Sequence, residues 1–177
     1  METAVSERLA REDLRGAATV ALRAYGPQLL GYLRATLPDG AADDAFSLFC
    51  ELFWKGLPGF RGESSILTWS YQLAWSAARR VLEDPQRWRA RRLDTDEMNG
   101  IVQEVRSSTA PHLRQSSADQ LAKIRSQLDF TEQTLLVLRI DRELEWDEIA
   151  TVMSIDSATL RKRFQRLKAK IRELAGA

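Results

Sequence analysis

Apolar residues that recur every three or four positions most limit what this 177-residue chain can fold into. Such spacing puts side chains on one face of an α-helix. It extends over about 13–36, 41–57 and 65–84, and no Asn-Gly or Asp-Gly pair is flanked by the alternating apolar residues of a β-hairpin. We therefore predict an all-α fold.

Changes in this spacing along the chain predict two helical domains. The apolar spacing within residues 1–84 predicts an N-terminal helical bundle. In it, the Gly26-Pro27 pair is expected to kink or break the first helix. The spacing fades over 85–118, where Ser, Pro and mixed charges predict a flexible linker with at most a short helix near 99–105. It returns over 119–177, where Thr131 is predicted to cap a helix.

Composition indicates the cellular compartment of the protein. The single cysteine, Cys50, cannot form an intramolecular disulfide, which fits a reducing cytoplasm, and its apolar surroundings are typical of a buried thiol. The first residues lack the apolar stretch of a secretory signal, and no apolar run reaches the ~18 residues of a membrane span. We expect a cytoplasmic protein without membrane insertion.

Catalytic and metal chemistry find no support in the residue pattern. The only histidine, His112, lies in the predicted linker, away from any cluster that suits zinc or a Ser-His-Asp triad. Gly56, Gly59 and Gly62 do not have the order of a phosphate-binding loop. We expect no enzyme activity, no cofactor and no metal.

Basic residues are concentrated although the net charge is only +1. Residues 157–175 contain seven Lys and Arg against one acid, and residues 79–92 contain six Arg against Glu83 and Asp84. Two basic clusters on a nearly neutral chain indicate a protein that binds a polyanion.

The second half of the C-terminal domain has the pattern of a helix-turn-helix. Seven apolar residues share one core spacing across a turn of about four residues, and Asp156 or Ser157 is expected to cap the final helix. These apolar residues are Ile149, Ala150, Met153, Ile155, Leu160, Phe164 and Leu167. The final helix can then enter a major groove about 12 Å wide. A basic solvated helix or a calmodulin-type target is the alternative at this point.

The outward side of that final helix carries the residues expected to contact duplex DNA, through bases or phosphates. They are Thr159, Arg161, Lys162, Arg163, Gln165 and Arg166.

The C-terminal domain resembles region four of bacterial sigma factors, especially the extracytoplasmic-function (ECF) type. The matching stretch is LDFTEQTLLVLRIDRELEWDEIATVMSIDSATLRKRFQRLKAKIREL, with Glu148-Ile149-Ala150 and Leu160-Arg161 in register with the family pattern. The resemblance implies that this domain binds the flap of RNA polymerase and reads the minus-thirty-five promoter element.

The N-terminal domain independently resembles region two of the same family. The stretch DDAFSLFCELFWKGLPGFRGESSILTWSYQLAWSAARR retains the acidic pair, the run at 60–63 and Thr68-Trp69. The resemblance implies binding to the coiled coil of the RNA polymerase largest subunit and opening of the minus-ten element. It suggests Asp43, Asp44 and Glu51 as polymerase-binding residues.

Aromatic residues beside arginines in this domain suit a melted DNA strand, because unpaired bases stack on rings while cations hold the phosphates. The expected residues are Arg61, Trp69, Trp75, Arg79 and Arg80. The loop at 62–66 is expected to form the wall of a pocket for a flipped base. A core role is the alternative for the tryptophans: it is expected for most of Trp54 and Trp69, and Trp75 stays open between the two roles.

The sequence departs from the family pattern at several positions. Ser47 and Leu48 replace the usual Gln-Glu, while Ser76 and Arg80 replace the usual Asn and Asp. Ser47 suggests a phosphorylation site that would add about −1.5 to −2 charge in a region where negative charge is usual in the family. An ordinary serine on a diverged surface is the alternative.

Both resemblances together imply a sigma factor that directs RNA polymerase core to promoter DNA and initiates transcription. They also imply an anti-sigma factor that holds this protein inactive by binding between its two domains. Two other functions fit the same sequence. One is a helix-turn-helix regulator whose bundle binds a ligand or dimerises, and the other is a degenerate sigma paralogue that acts only through protein interaction.

Overall fold

The structure, a computed structural model, describes residues 2–38, 40–89, 96–109 and 126–176. Across these ranges the regular elements are helical and no strand occurs, which confirms the all-α prediction. The chain divides into two compact units, Met1–Ala110 and Pro111–Ala177.

The described part of the first unit contains six α-helices and a 3₁₀ turn at Leu57–Gly59. The helices are α1 (Glu2–Ala10), α2 (Leu14–Thr36), α3 (Ala41–Gly56), α4 (Ile66–Glu83), α5 (Pro85–Trp88) and α6 (Asp96–Ser108). The core lies where α2, α3 and α4 pack, and it is rich in aromatic rings. Tyr32 of α2 meets Tyr71 of α4 edge-on, with ring centres 5.6 Å apart, a favoured geometry for buried rings.

Polar side chains define where α2 and α4 begin. The Asp13 carboxylate accepts a hydrogen bond from the Gly16 backbone N–H at 2.9 Å. The Ser65 hydroxyl accepts one from the Thr68 backbone N–H at the same distance. Each interaction satisfies an amide that the first helical turn leaves without an internal partner.

The predicted break in the first helix is wrong, because α2 continues through Gly26 and Pro27. Proline removes one helical hydrogen bond and crowds the preceding turn. Here Leu22 precedes it and Leu29 and Leu30 follow it, all fully buried in the same core. Packing on both sides of Pro27 outweighs the local preference.

Two helices lie inside the range predicted as linker. α5 follows directly on α4, and α6 packs against α2 and α3 within the first unit. α6 buries Ile101, Val102 and Val105. The backbone at Gly26 allows this approach, since a methyl group there would lie 3.0 Å from a Val105 methyl carbon.

The described part of the second unit has three helices. α7 (Phe130–Leu136) continues into a π-helical turn (Val137–Asp141) and is followed by α8 (Trp146–Met153) and α9 (Ser157–Gly176). Asp129 caps α7 by accepting from the Glu132 N–H at 2.8 Å, so the predicted cap at Thr131 is wrong. The Glu132 carboxylate bonds back to the Asp129 N–H at 3.0 Å, which completes a capping box.

No helix in the described ranges has the length and apolar character needed to cross a membrane.

Candidate nucleic-acid and polymerase interfaces

α9 separates an apolar side from a basic side. Leu160, Phe164 and Leu167 are buried, at positions three to four residues apart on the side that faces the unit's core. Thr159 is half-buried, whereas the other side chains predicted to contact duplex DNA are exposed: Arg161, Lys162, Arg163, Gln165 and Arg166. Within the described part of the chain, none of these four cations forms an ion pair with an acid. The basic side of α9 is therefore available to an external polyanion.

The turn between α8 and α9 fixes where α9 begins. Ser154 adopts the left-handed conformation that ends α8, with φ 54°. The Asp156 carboxylate accepts a hydrogen bond from the Thr159 N–H at 2.8 Å, so Asp156 rather than Ser157 is the cap. Hydrogen bonds from the Thr159 side chain and backbone lower the pKa of Asp156. A charged carboxylate at this end also complements the helix dipole.

Trp146, at the start of α8, contacts α9 within the helix-turn-helix and was not among the predicted site residues. Its ring meets Phe164 edge-on, with centres 5.5 Å apart. The guanidinium carbons of Arg139 and Arg161 lie 5.2 and 5.8 Å from the Trp146 ring centre. The ring thus holds Arg161 by a cation–π contact, which no spacing rule predicts because Arg139, Trp146 and Arg161 come from separate elements.

Not every cation of α9 faces outward to a ligand. Lys170 Nζ lies 2.7 Å from Glu132 Oε2 and ties α9 to α7. Lys168 Nζ lies 5.5 Å from the centre of the Phe164 ring. Both lysines thus make contacts within the unit. In sequence they lie between the residues predicted to contact DNA and the last cation of the helix, Arg172.

Trp69 lies in an aromatic cluster at the start of α4. Its ring centre is 5.1 Å from that of Phe53 and 5.0 Å from that of Phe60. The absence of a side chain at Gly56 leaves room for the ring, since a Cβ there would lie 3.0 Å from Trp69 Cζ2. Trp69 is half-buried, as expected for a residue with both core and surface contacts.

The three arginines predicted to hold a melted strand are all exposed. Arg61 has 83% of its side chain accessible and lies 3.9 Å from Glu63. Arg79 lies 3.5 Å from Glu83, one turn further along α4. Arg80 is eleven residues after Trp69, about three helical turns, so both lie on one face of α4 about 16 Å apart along the axis.

Trp75 does not share that face. It follows Trp69 by six residues, which turns it away from Trp69 and Arg80, and it is only 7% exposed. Its ring therefore contributes to the core and presents no stacking face in this structure.

The acidic start of α3 is held by arginines of the same unit. Arg34 Nη2 lies 3.2 Å from Asp43 Oδ1, and the Asp43 side chain is 46% exposed. Arg106 of α6 donates through Nη2 to the Asp43 carbonyl oxygen at 2.6 Å and to Ser47 Oγ at 2.8 Å. Arg106 Nε lies 4.0 Å from Asp43 Oδ1. α6 thus covers part of the face predicted to bind polymerase.

Ser47 lies beneath this contact and is only 9% exposed. Its hydroxyl donates to the Asp43 carbonyl oxygen at 3.1 Å while it accepts from Arg106. A kinase reaches this hydroxyl only when α6 has moved away, so phosphorylation of Ser47 stays a prediction with that condition attached.

The other predicted polymerase residues lie along the same helix. Asp44 is half-buried in the first turn of α3, where an acid complements the helix dipole. The Glu51 carboxylate is largely buried and lies 2.6 Å from Lys55 Nζ. Asp43, Asp44 and Glu51 thus share one side of α3, but each also has contacts within the unit.

The remaining chemical candidates are unreactive or lie elsewhere. Cys50 is fully buried, and burial raises the pKa of its thiol far above the usual range. The described residues hold no group of three His, Cys, Asp or Glu side chains placed to bind a metal ion. His112 lies outside the described residues.

Comparison with known proteins identifies a relative that matches most of the chain. No protein-family model matches the chain. The RNA polymerase sigma-H factor of Pseudomonas aeruginosa is 28% identical to it, across 93% of this chain and 89% of the relative. This match spans both units and confirms the resemblance to sigma factors, while the ECF subtype stays a prediction.

Proposed function

We propose that this chain is a sigma factor of the ECF type, which directs RNA polymerase core to specific promoters and initiates transcription. The observation that carries this proposal is the match to a sigma factor along 93% of the chain, because a shared helix-turn-helix alone would align only the second unit. In this role the protein is a cytoplasmic DNA-binding subunit and does not act as an enzyme itself.

The duplex minus-thirty-five element is assigned to α9. Its Arg161, Arg163 and Arg166 are all exposed, with Arg161 and Arg163 on either side of the buried apolar row and Arg166 further from it, so they reach DNA without disturbing the core. Arginine binds guanine through two hydrogen bonds and glutamine binds adenine in the same way. Gln165 and the arginines suit base edges, whereas Thr159 and Lys162 suit phosphates.

The melted minus-ten strand is assigned to the exposed side of α4 and the loop before it. Arg61, Arg79 and Arg80 supply cations for phosphates, and the half-buried Trp69 supplies a ring for an unpaired base. A span of about 16 Å between Trp69 and Arg80 suits several nucleotides of an extended strand. Trp75 supports this surface from the core.

The polymerase contact is assigned to the side of α3 that carries Asp43, Asp44 and Glu51. Acids there suit a basic partner surface, and their number is smaller than in the family pattern because Leu48 replaces a glutamate. An anti-sigma factor that clamps both units belongs to the same proposal and rests on family resemblance alone.

In vitro transcription with purified core polymerase and a genomic promoter library tests the function. We expect initiation at a small set of sites that core alone does not use. Arg161→Ala is expected to lose these transcripts, while the matched Arg172→Ala, an exposed cation beyond the predicted face of α9, is expected to keep them. A chain that binds duplex DNA by itself but starts no transcript would instead be a helix-turn-helix regulator. A chain that binds core without any new transcript would be a degenerate paralogue.

A further inference from the structure

α6 occupies the same side of α3 that is assigned to polymerase. We propose that α6 and RNA polymerase core compete for the Asp43–Ser47 face of α3, so that α6 is an internal cover which polymerase displaces. This inference rests on the proposed function, because it takes Asp43 as a polymerase contact.

Two arginines connect α6 to the Asp43 carboxylate. Arg106 binds the backbone carbonyl of Asp43 and the Ser47 hydroxyl, as described above. Arg34 binds Asp43 Oδ1 through Nη2 and donates through Nη1 to the Thr109 carbonyl oxygen, just beyond the end of α6, at 3.1 Å. A polymerase cation that pairs with Asp43 Oδ1 therefore has to compete with Arg34 and Arg106.

The helical state of α6 depends on the surface beneath it. Its described residues include Asn99, Gly100 and three β-branched side chains, all weaker helix formers than alanine or leucine. The element has only 13 residues, a length at which isolated helices are marginal in water. Burial of Ile101, Val102 and Val105 as α6 packs on α2 and α3 provides the helix stability that local preference does not. Loss of docking and loss of helix are thus expected to coincide.

The docked state also carries an unmatched polar group. Arg106 Nε is buried and has no hydrogen-bond partner among the described groups. A buried donor without a partner opposes burial of the guanidinium. The other charged link at this helix, Arg23 with Glu104, is more than half exposed at both ends and adds little. Both features reduce the free energy with which α6 is held and so favour its displacement.

Binding of the full-length chain to purified core polymerase tests the competition. Arg106→Ala and Val105→Asp remove the polar and the apolar hold on α6, respectively. If about 10–30% of wild-type molecules have α6 undocked, either variant should lower the dissociation constant by about 3- to 10-fold. Arg23→Ala is the matched control on the exposed pair, and it should stay within about twofold of wild type.

Hydrogen exchange supplies a second measurement on the wild-type chain. On binding core, amides at 99–109 should lose protection, while amides at 66–83 in α4 should keep theirs and so show that the unit stays folded. A variant that loses protection in α4 is discarded as unfolded, and the wild-type exchange result then decides.

The outcomes separate the two proposals. Tighter binding by both variants together with exposure of 99–109 supports the cover. If wild type binds core and initiates transcription, but neither variant binds more tightly or α6 stays protected, only the cover is refuted. If wild type neither binds core nor initiates, the proposed function fails and this inference fails with it.

Discussion

The acidic side of α3 and the basic side of α9 are opposite in charge. They also differ in how many of their charged side chains have partners within the protein. On α3, Asp43 and Ser47 have arginine partners from α2 and α6 of the same unit. On α9, the four cations assigned to DNA form no ion pair in the described ranges. The α3 surface has to exchange internal hydrogen bonds and ion pairs for external ones, whereas the α9 surface has no ion pair to give up. Affinity at α3 is thus expected to depend on internal competition, and affinity at α9 on the ligand.

The largest expected effect comes from the buried side of α9. Leu160→Ala should destabilise the second unit by about 2–5 kcal/mol, because it leaves a cavity among fully buried side chains. Thermal unfolding followed by hydrogen exchange should show loss of protection in α8 and α9 and unchanged protection in α2 to α4. Equal loss of protection in both units would show that the two units do not unfold independently.

The open side of α9 is tested by removing single cations. Arg161→Ala should weaken holoenzyme binding to a cognate minus-thirty-five duplex by about 1–3 kcal/mol and leave the melting temperature nearly unchanged. Lys170→Ala is the matched internal cation, since it lies 2.7 Å from Glu132, and it should lower stability more than DNA binding. The reverse pattern would contradict the assignment of outward and inward cations.

Trp146 refines the claim that Arg161 is open. A Trp146→Leu change should remove the cation–π contact and weaken promoter binding by about 0.5–1 kcal/mol. In a double-mutant cycle with Arg161→Ala, the two losses should be less than additive, since both act through one side chain. Additive losses would show that Trp146 acts on stability alone.

The smallest expected effect is the pH dependence of the α9 cap. The pKa of Asp156 is lowered in the folded chain from the usual 3.8. The cap therefore contributes stability above pH 3.8 and loses it as the pH falls through the lowered value. Asp156→Asn should retain a cap and flatten this acid limb in thermal melts at pH 2–6. An unchanged limb would assign the acid sensitivity to other carboxylates.

Local spacing predicted the parts of the fold whose contacts are close in sequence. The helix-turn-helix followed from Ile149, Leu160 and Phe164, because both of its helices bury regular apolar rows around one short turn. The apolar spacing over about 65–84 predicted α4, which begins directly after its cap Ser65. Such features need only neighbours along the chain, and a sequence displays those directly.

Contacts between distant segments could not be predicted in this way. α6 buries few apolar residues and is held by Arg106 on Asp43, 63 positions away, so its sequence resembled a linker. Pro27 was expected to break α2 because the burial of Leu22, Leu29 and Leu30 around it is a tertiary effect. Trp75 is different, since its six-residue offset from Trp69 already indicated another face. Which face is buried became clear only from the packed bundle.

The packing of α6 beside the acidic side of α3 depends on one residue of α2, Gly26. Its missing side chain is what allows Val105 to approach α2, and even one added carbon would lie 3.0 Å from a valine methyl. A larger residue at this one position would press on Val105 of α6 first and then on the buried Phe46 of α3, while leaving every acid of α3 in the sequence. If α6 competes with polymerase as proposed above, a substitution at Gly26 is expected to change polymerase affinity while the exposed cations of α9 stay the same.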